Sequence, residues 1–217
     1  LFEGNIRRDG SSRFHKNHRW GTFPSFSLGW RISEENFLKS VKWINMMKLR
    51  FSWGALGNNA VDNYEYQSVY NKDNYILGNA VMQGLAQTQL ANAMVSWETT
   101  YVTNIGLDFN LFGSKLDGTI DVFNKDTRDI LIDLPAPLLV GNASIPTQNA
   151  ARVRNKGIEM NLKWNHKIGK VDYFVGGNFT FIDNEVTRFK GEERSITGTN
   201  MIQEGYPINI QYVLAVD

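Results

Sequence analysis

The sequence predicts an all-β fold, an antiparallel transmembrane β-barrel segment of about eight long strands. Three observations lead there. Apolar and polar residues alternate with period two over segments longer than the ~5 to 6 residues of an ordinary strand. The connections between those segments alternate between short links and long polar loops, as in a barrel with short turns on one rim and long loops on the other. The chain is rich in aromatics, with 13 Phe, 8 Tyr and 6 Trp, yet has no apolar run of the ~18 residues that a membrane helix needs.

The clearest alternation runs from Trp97 to Leu134. In its first arm Trp97, Tyr101, Ile105, Leu107, Phe109 and Leu111 oppose Glu98, Thr100, Asn104, Gly106, Asp108 and Asn110. Gly113, Ser114 and Lys115 then make a link suited to a hairpin. In the return arm Leu116, Ile120 and Val122 oppose Asp117, Thr119 and Asp121.

Residues 1 to 9 read as the end of a strand, and Asp9 to His18 as a polar loop. From Trp20 to Ile32 alternation resumes, with Pro24 near the start, where a ladder tolerates proline best. Ser33, Glu34 and Glu35 before Phe37 and Leu38 suggest a short helical turn with a serine N-cap, inside a compact connection over 33 to 43. Met47, Leu49, Phe51 and Trp53 opposite Lys48, Arg50, Ser52 and Gly54 form the next strand. Cations on its polar face would be costly in a dry core but cheap against a wet lumen.

From 57 to 92 the pattern dissolves into a long Asn-, Tyr-, Gln- and Gly-rich loop, of the kind that usually carries function. After the hairpin comes a second long loop, Pro135 to Ala150. Ile158, Met160, Leu162 and Trp164 then alternate with Glu159, Asn161, Lys163 and Asn165. A link over His166 to Lys170 leads to a return strand from Val171 to Phe181. Residues 188 to 205 read as a third polar loop, and Ile208 to Val216 as the start of another strand.

Formal net charge is +1, from 23 basic and 22 acidic residues without a polybasic block, which disfavours nucleic acid and anionic membrane surfaces as main partners. The absence of cysteine excludes disulfides, thiol catalysis and Cys-based metal sites. The opening LFEGNIRRDGSS lacks a signal-peptide pattern, and its abrupt start suggests a fragment whose exporting segment lies elsewhere.

RRDGSSRF at 7 to 14, FPSFSLGWRISEE at 23 to 35, MKLRFSWGALGNN at 47 to 59 and WETTYVTNIGLDFNLF at 97 to 112 resemble the TonB-dependent outer-membrane transporters of the SusC/RagA family. VRNKGIEMNLKW at 153 to 164, GGNFTFIDNEV at 176 to 186 and EGYPIN at 204 to 209 do so too. The resemblance implies that residues 1–217 are part of a 22-stranded barrel domain, with the plug domain and remaining strands outside this sequence. It also implies outer-membrane uptake of oligosaccharides, or of peptides, energised by TonB through the plug, with a SusD-like surface lipoprotein as partner. No cofactor is expected. A secreted or surface glycan-binding β-sandwich is the alternative; there the apolar faces would pack against a second sheet.

Asn63, Tyr64, Tyr66, Tyr70, Asn71 and Tyr75 form the candidate substrate-binding set. Aromatic faces stack on sugar rings while amides reach hydroxyls; the competing role is loop self-packing or lipoprotein contact. His15 and His18 lack a third ligand and read as solvated loop residues, and His166 reads as a turn residue. The pairs Glu98/Asp108 and Asp117/Asp121 resemble glycosidase carboxylates, but charges recur at period two on nearly every strand, so they read as lumen wall, and no catalytic residue is expected. Trp20, Trp30, Trp97 and Trp164 are expected at the membrane interface. Asn142 and Asn178 lie in N-x-S/T sequences that match by chance often.

Overall fold

The alternating segments pair in sequence order. A computed structural model describes residues 1–134, 138–141, 143–191 and 194–213. Its first half holds β1 (Phe2–Gly10), β2 (Trp20–Trp30), the 3-10 turn η1 (Ile32–Glu34), β3 (Ile44–Asn58), β4 (Val69–Leu77) and β5 (Ala80–Gln89). The second half adds β6 (Glu98–Leu111), β7 (Leu116–Ile132), η2 (Leu138–Val140), β8 (Gln148–Ile168) and β9 (Val171–Phe189). Three short strands follow, β10 (Arg194–Thr197), β11 (Asn200–Gln203) and β12 (Ile210–Gln211).

Seven strands form one antiparallel sheet in the order β1-β2-β3-β6-β7-β8-β9. Every neighbour is the next long strand of the chain, so the sheet is a simple meander, open at both edges. It is a barrel wall. The strand expected over Ile208 to Val216 is represented by the two-residue β12, which pairs with β11 in a separate small sheet; residues 214 to 216 lie outside the described residues.

Register separates the faces because side chains alternate with period two. One rung runs through Phe2, Leu28, Phe51, Ile105, Val122, Ile158 and Phe181, crossing all seven strands. Phe2, Leu28, Ile105, Val122 and Phe181 are exposed. On the opposite face the next rung toward the turns reads Gly29, Arg50, Gly106, Asp121, Glu159 and Thr180. Along β9 the outward residues Val171, Tyr173, Val175, Phe179 and Phe181 are all exposed. That stretch climbs roughly 33 Å along the strand, or about 25 Å of height at a ~40° tilt, the height of the apolar band of a membrane barrel.

Among the described residues no second sheet covers the apolar face; beyond neighbouring strands the wall packs mainly against η1, β11 and the long loops. The sandwich alternative is therefore wrong: in a sandwich this band would be core. The dry clusters sit at the long-loop end instead. Ala151, Val153, Val186 and Phe189 pack with Ile130, Ile132, Ile202 and Ile208. Phe14, Val61 and Val95 pack with Trp97 and Leu131.

Several local expectations change. The loop over 57 to 92 contains the β4–β5 hairpin, closed by Leu77 paired with Ala80. The loop over 188 to 205 contains the β10–β11 hairpin. Strand β8 begins at Gln148, inside the expected loop, and residues 135–137 and Asn142 lie outside the described residues. At η1 the N-cap position is Arg31 with no side-chain cap hydrogen bond; Ser33 lies within the turn, so it is not the cap. No helix is long and apolar enough to cross a membrane.

Candidate functional site

The inner face is a charged wall with a specific brace. Arg50 on β3 reaches across β6, donating from Nε to both Asp108 carboxylate oxygens at 2.9 Å and from an Nη to both Asp121 oxygens at 3.0 Å. Gly106 lies between them in register, and a Cβ there would stand 2.6 Å from an Arg50 Nη and from Asp121 Oδ1. The absent side chain lets the guanidinium lie flat on the sheet. Three strands are thereby tied by one cation.

The other expected carboxylates are similarly engaged. Asp117 accepts from Asn165 at 2.8 Å and from Asn110. Glu98 accepts from Asn58 at 3.3 Å and from the Leu131 backbone N–H at 3.1 Å. Each carboxylate holds strands or loop backbone together, which is a scaffold role.

The candidate substrate-binding residues fall into two groups. Asn63, Tyr64 and Tyr66 lie in the turn before β4, where Tyr64 adopts φ 67° and Tyr66 meets His15 edge to face, ring centres 6.1 Å apart. Tyr70, Asn71 and Tyr75 lie on β4 itself. Tyr70 and Tyr75 are an odd number of residues apart, so they face opposite sides of the hairpin, with Asn71 on the Tyr75 side. Tyr64, Tyr70 and Tyr75 are all exposed. The six residues share one protruding loop element without forming a single closed pocket.

One hub at the base of this loop escaped the sequence reading. Glu65 is buried and accepts from the Thr147 N–H at 2.8 Å, the Thr147 hydroxyl at 3.2 Å and the Asp62 N–H at 3.3 Å. Its own carbonyl accepts from the Asn92 N–H at 3.0 Å. A buried carboxylate satisfied by several donors fixes a loop far better than a solvated one. The hairpin thus projects from a fixed base.

The tryptophans divide. Trp20, Trp30 and Trp164 are exposed on the apolar side at strand ends, with Trp30 Nε1 donating to Glu35 at 2.9 Å. Trp97 departs from the expectation. It packs on Phe14 and Phe23 with ring centres 5.4 Å away in each case, and its Nε1 donates to the Arg19 carbonyl at 3.1 Å. It lies just before β6, where the ladder ends, so strand alternation no longer sets its direction. Asn178 is on β9 and exposed. Among the described residues no group of three or more His, Asp or Glu side chains is arranged to hold a metal ion.

A lipid-height apolar face, a polar inner face and loops sorted by rim are the attributes of a transporter barrel. Residues 1–211 match the family described as TonB dependent receptor-like, beta-barrel. The chain belongs to this family of TonB-dependent receptors. It is 37% identical to TonB-dependent receptor P39 of Formosa agariphila over 98% of this chain and 20% of that protein. It is 35% identical to TonB-dependent receptor SusC of Bacteroides thetaiotaomicron over 90% of this chain and 20% of that one. The chain therefore spans about a fifth of the length of these curated relatives. A structure of the RagAB peptide importer in its closed-closed state superposes with a TM-score of 0.83 at 28% identity, over 95% of this chain and 23% of that chain. Its open-open state gives the same TM-score over 22% of that chain. These relatives place the receptor segment in the SusC/RagA group, a family of outer-membrane receptors and transporters rather than enzymes.

Proposed function

We propose that this receptor segment is a wall of a larger barrel that imports nutrients across the outer membrane, energised through TonB and paired with a SusD-like surface lipoprotein. The observation that supports this reading is the two-faced seven-stranded wall, apolar toward lipid and lined by Arg50, Asp108, Asp121 and Glu159 toward the interior. A hydrated solute path needs such a wall. Residues 1–217 belong in this reading to one barrel domain, with the plug and remaining strands contributed by the rest of a longer chain.

Oligosaccharides are the proposed cargo, with Asn63, Tyr64, Tyr66, Tyr70, Asn71 and Tyr75 on the loop side as first contacts. Peptides are the second reading, supported by the structural likeness to RagAB, which is described as a peptide importer. The test is growth and uptake by cells carrying the full-length gene with residues 69–89 replaced by a short Gly-Ser link. Loss of uptake of labelled oligosaccharides, with the barrel still inserted, is expected. Unchanged oligosaccharide uptake refutes contact by Tyr70, Asn71 and Tyr75, unchanged uptake by the triple variant Asn63→Ala, Tyr64→Ala, Tyr66→Ala refutes the rest, and loss confined to peptide uptake replaces sugar by peptide as cargo.

A further inference from the structure

The apolar band ends on the long-loop side in a row of cations that no step of uptake requires. The outward positions above Ile158 on β8 are Lys156, Arg154 and Arg152, and beside them stand Arg128 on β7 and Arg188 on β9. Arg128, Arg152, Arg188 and Lys190 line one cavity of about 200 Å³. The outward strand positions at the turn-side end, Trp30, Leu111, Leu116, Trp164, His166 and Tyr173, include no Lys or Arg; Lys39, Lys42, Lys115 and Lys170 lie in the connections there. Both rims carry aromatics, but only the long-loop rim carries cations at outward strand positions; Lys167, at the turn-side end of β8, is at an inward position and pairs with Asp172.

The cluster is built by irregularities in the ladder. Arg152 pairs with Arg188 and Val153 with Val186, so Thr187 is an extra residue on β9. A regular ladder would turn Arg188 inward; the bulge turns it outward, directly across from Arg152, as bulges commonly re-aim side chains. A second register shift, between Thr127 and Ile130, lies opposite on β7. Like charges directly across a ladder repel, so an Arg152–Arg188 pair calls for an anion.

Protein carboxylates meet part of that need. Asp126 is buried and takes Arg152, together with Arg128 Nε at 2.8 Å. Glu185 takes Arg154 at 2.6 Å and Asp183 takes Lys156 at 3.1 Å; Asp129 also lines the cavity. These pairs fix the guanidinium planes while leaving further N–H donors on each, since one guanidinium carries five. Arg188 has no ion-pair partner among the described residues.

We infer that this cavity binds the phosphate of a phosphorylated glycolipid in the outer leaflet. Guanidinium forks match phosphate oxygens, and a basic pocket at the edge of a lipid-facing surface is suited to anionic headgroups. Lys156 stands one pleat above Ile158, roughly 7 Å along the strand, so acyl chains on the apolar band would bring a headgroup phosphate to this height. The inference rests on the long-loop rim facing outward and not on the nature of the cargo.

The test uses the full-length receptor in nanodiscs doped with diphosphorylated lipid A, with retained lipid counted by native mass spectrometry. The double variant Arg188→Gln, Lys190→Gln leaves the Asp126 pairs intact and is expected to lower retention on the order of tenfold. Arg188→Lys alone, which keeps the charge, should retain most of it. Fully dephosphorylated lipid A should not be held, and millimolar inorganic phosphate should not displace the diphosphorylated form. Equal retention by the double variant, retention of dephosphorylated lipid, or displacement by inorganic phosphate would each overturn the assignment. Uptake measured on the same variants separates this result from the transport proposal, because lipid retention is scored whether or not cargo is imported.

Discussion

Substituting Gly106 by alanine probes how the inner wall is held together. The new Cβ would lie 2.6 Å from both an Arg50 Nη and Asp121 Oδ1, closer than packed carbon tolerates, so the guanidinium must lift off the sheet. Arg50 then loses aligned contacts to two carboxylates whose side chains are 23% and 19% exposed, its own being 33% exposed. Hydrogen bonds to charged groups contribute about 1.5 to 3 kcal/mol each when buried, and partial hydration by the lumen reduces that. A total cost of roughly 2 kcal/mol is expected for Gly106→Ala, read as a shift of the urea midpoint of the full-length barrel in detergent. The control is a double-mutant cycle with Arg50→Met. In the methionine background no guanidinium lies over residue 106 and Asp121, no longer held by it, is free to swing away from the alanine, so the two effects should be non-additive by about 1 to 2 kcal/mol. Simple additivity, or a neutral Gly106→Ala, refutes the brace.

Three further outcomes follow from the loop-side rim and the loop core. Arg152 and Arg128 both pair with the buried Asp126 carboxylate, and the Arg152 pair ties β7 to β8 near the loops. Asp126→Asn removes that charge, and amide exchange at the β7–β8 loop end should then be faster than in the unaltered receptor at pH 7. Trp97→Ala removes a half-buried ring that packs on Phe14 and Phe23 and should cost about 2 to 3 kcal/mol of local stability, read as proteolytic nicking within 11–19 or 59–97. Trp164→Ala, at the interface, should leave that nicking unchanged. Glu65→Gln keeps the shape but weakens the acceptor for the Thr147 N–H, and should loosen the 62–68 turn by about 1 kcal/mol.

The wall was legible because one side of each strand faces lipid and the other water, so period two is written into Ile105/Asp108 and Ile158/Glu159 alike. Legibility fails where that contrast disappears. Strands β4 and β5 are solvated on both sides, and only the Gly78-Asn79 pair, a known hairpin signal with Gly78 at φ 62°, marks their turn. The start of β8 was hidden by shifts opposite Thr127, Ile130 and Arg152, each of which flips which residues face outward. The Arg50 brace joins residues 58 and 71 positions apart, and which carboxylates it meets depends on a register that composition does not encode. For the candidate tyrosines, composition identified one loop element, while their distribution over two sides of a hairpin followed from its pairing.

The central claim is that one face of this wall meets lipid and the other water. It is tested most directly by spin labels placed singly at Ile105, Val122 and Phe179, and at Asn104, Thr119 and Asn161, in the full-length receptor reconstituted in bilayers. The first three should be relaxed by oxygen and shielded from a water-soluble nickel chelate, and the second three should show the reverse. Equal accessibility of the two sets, or nickel access at Ile105 and Val122, would contradict the account.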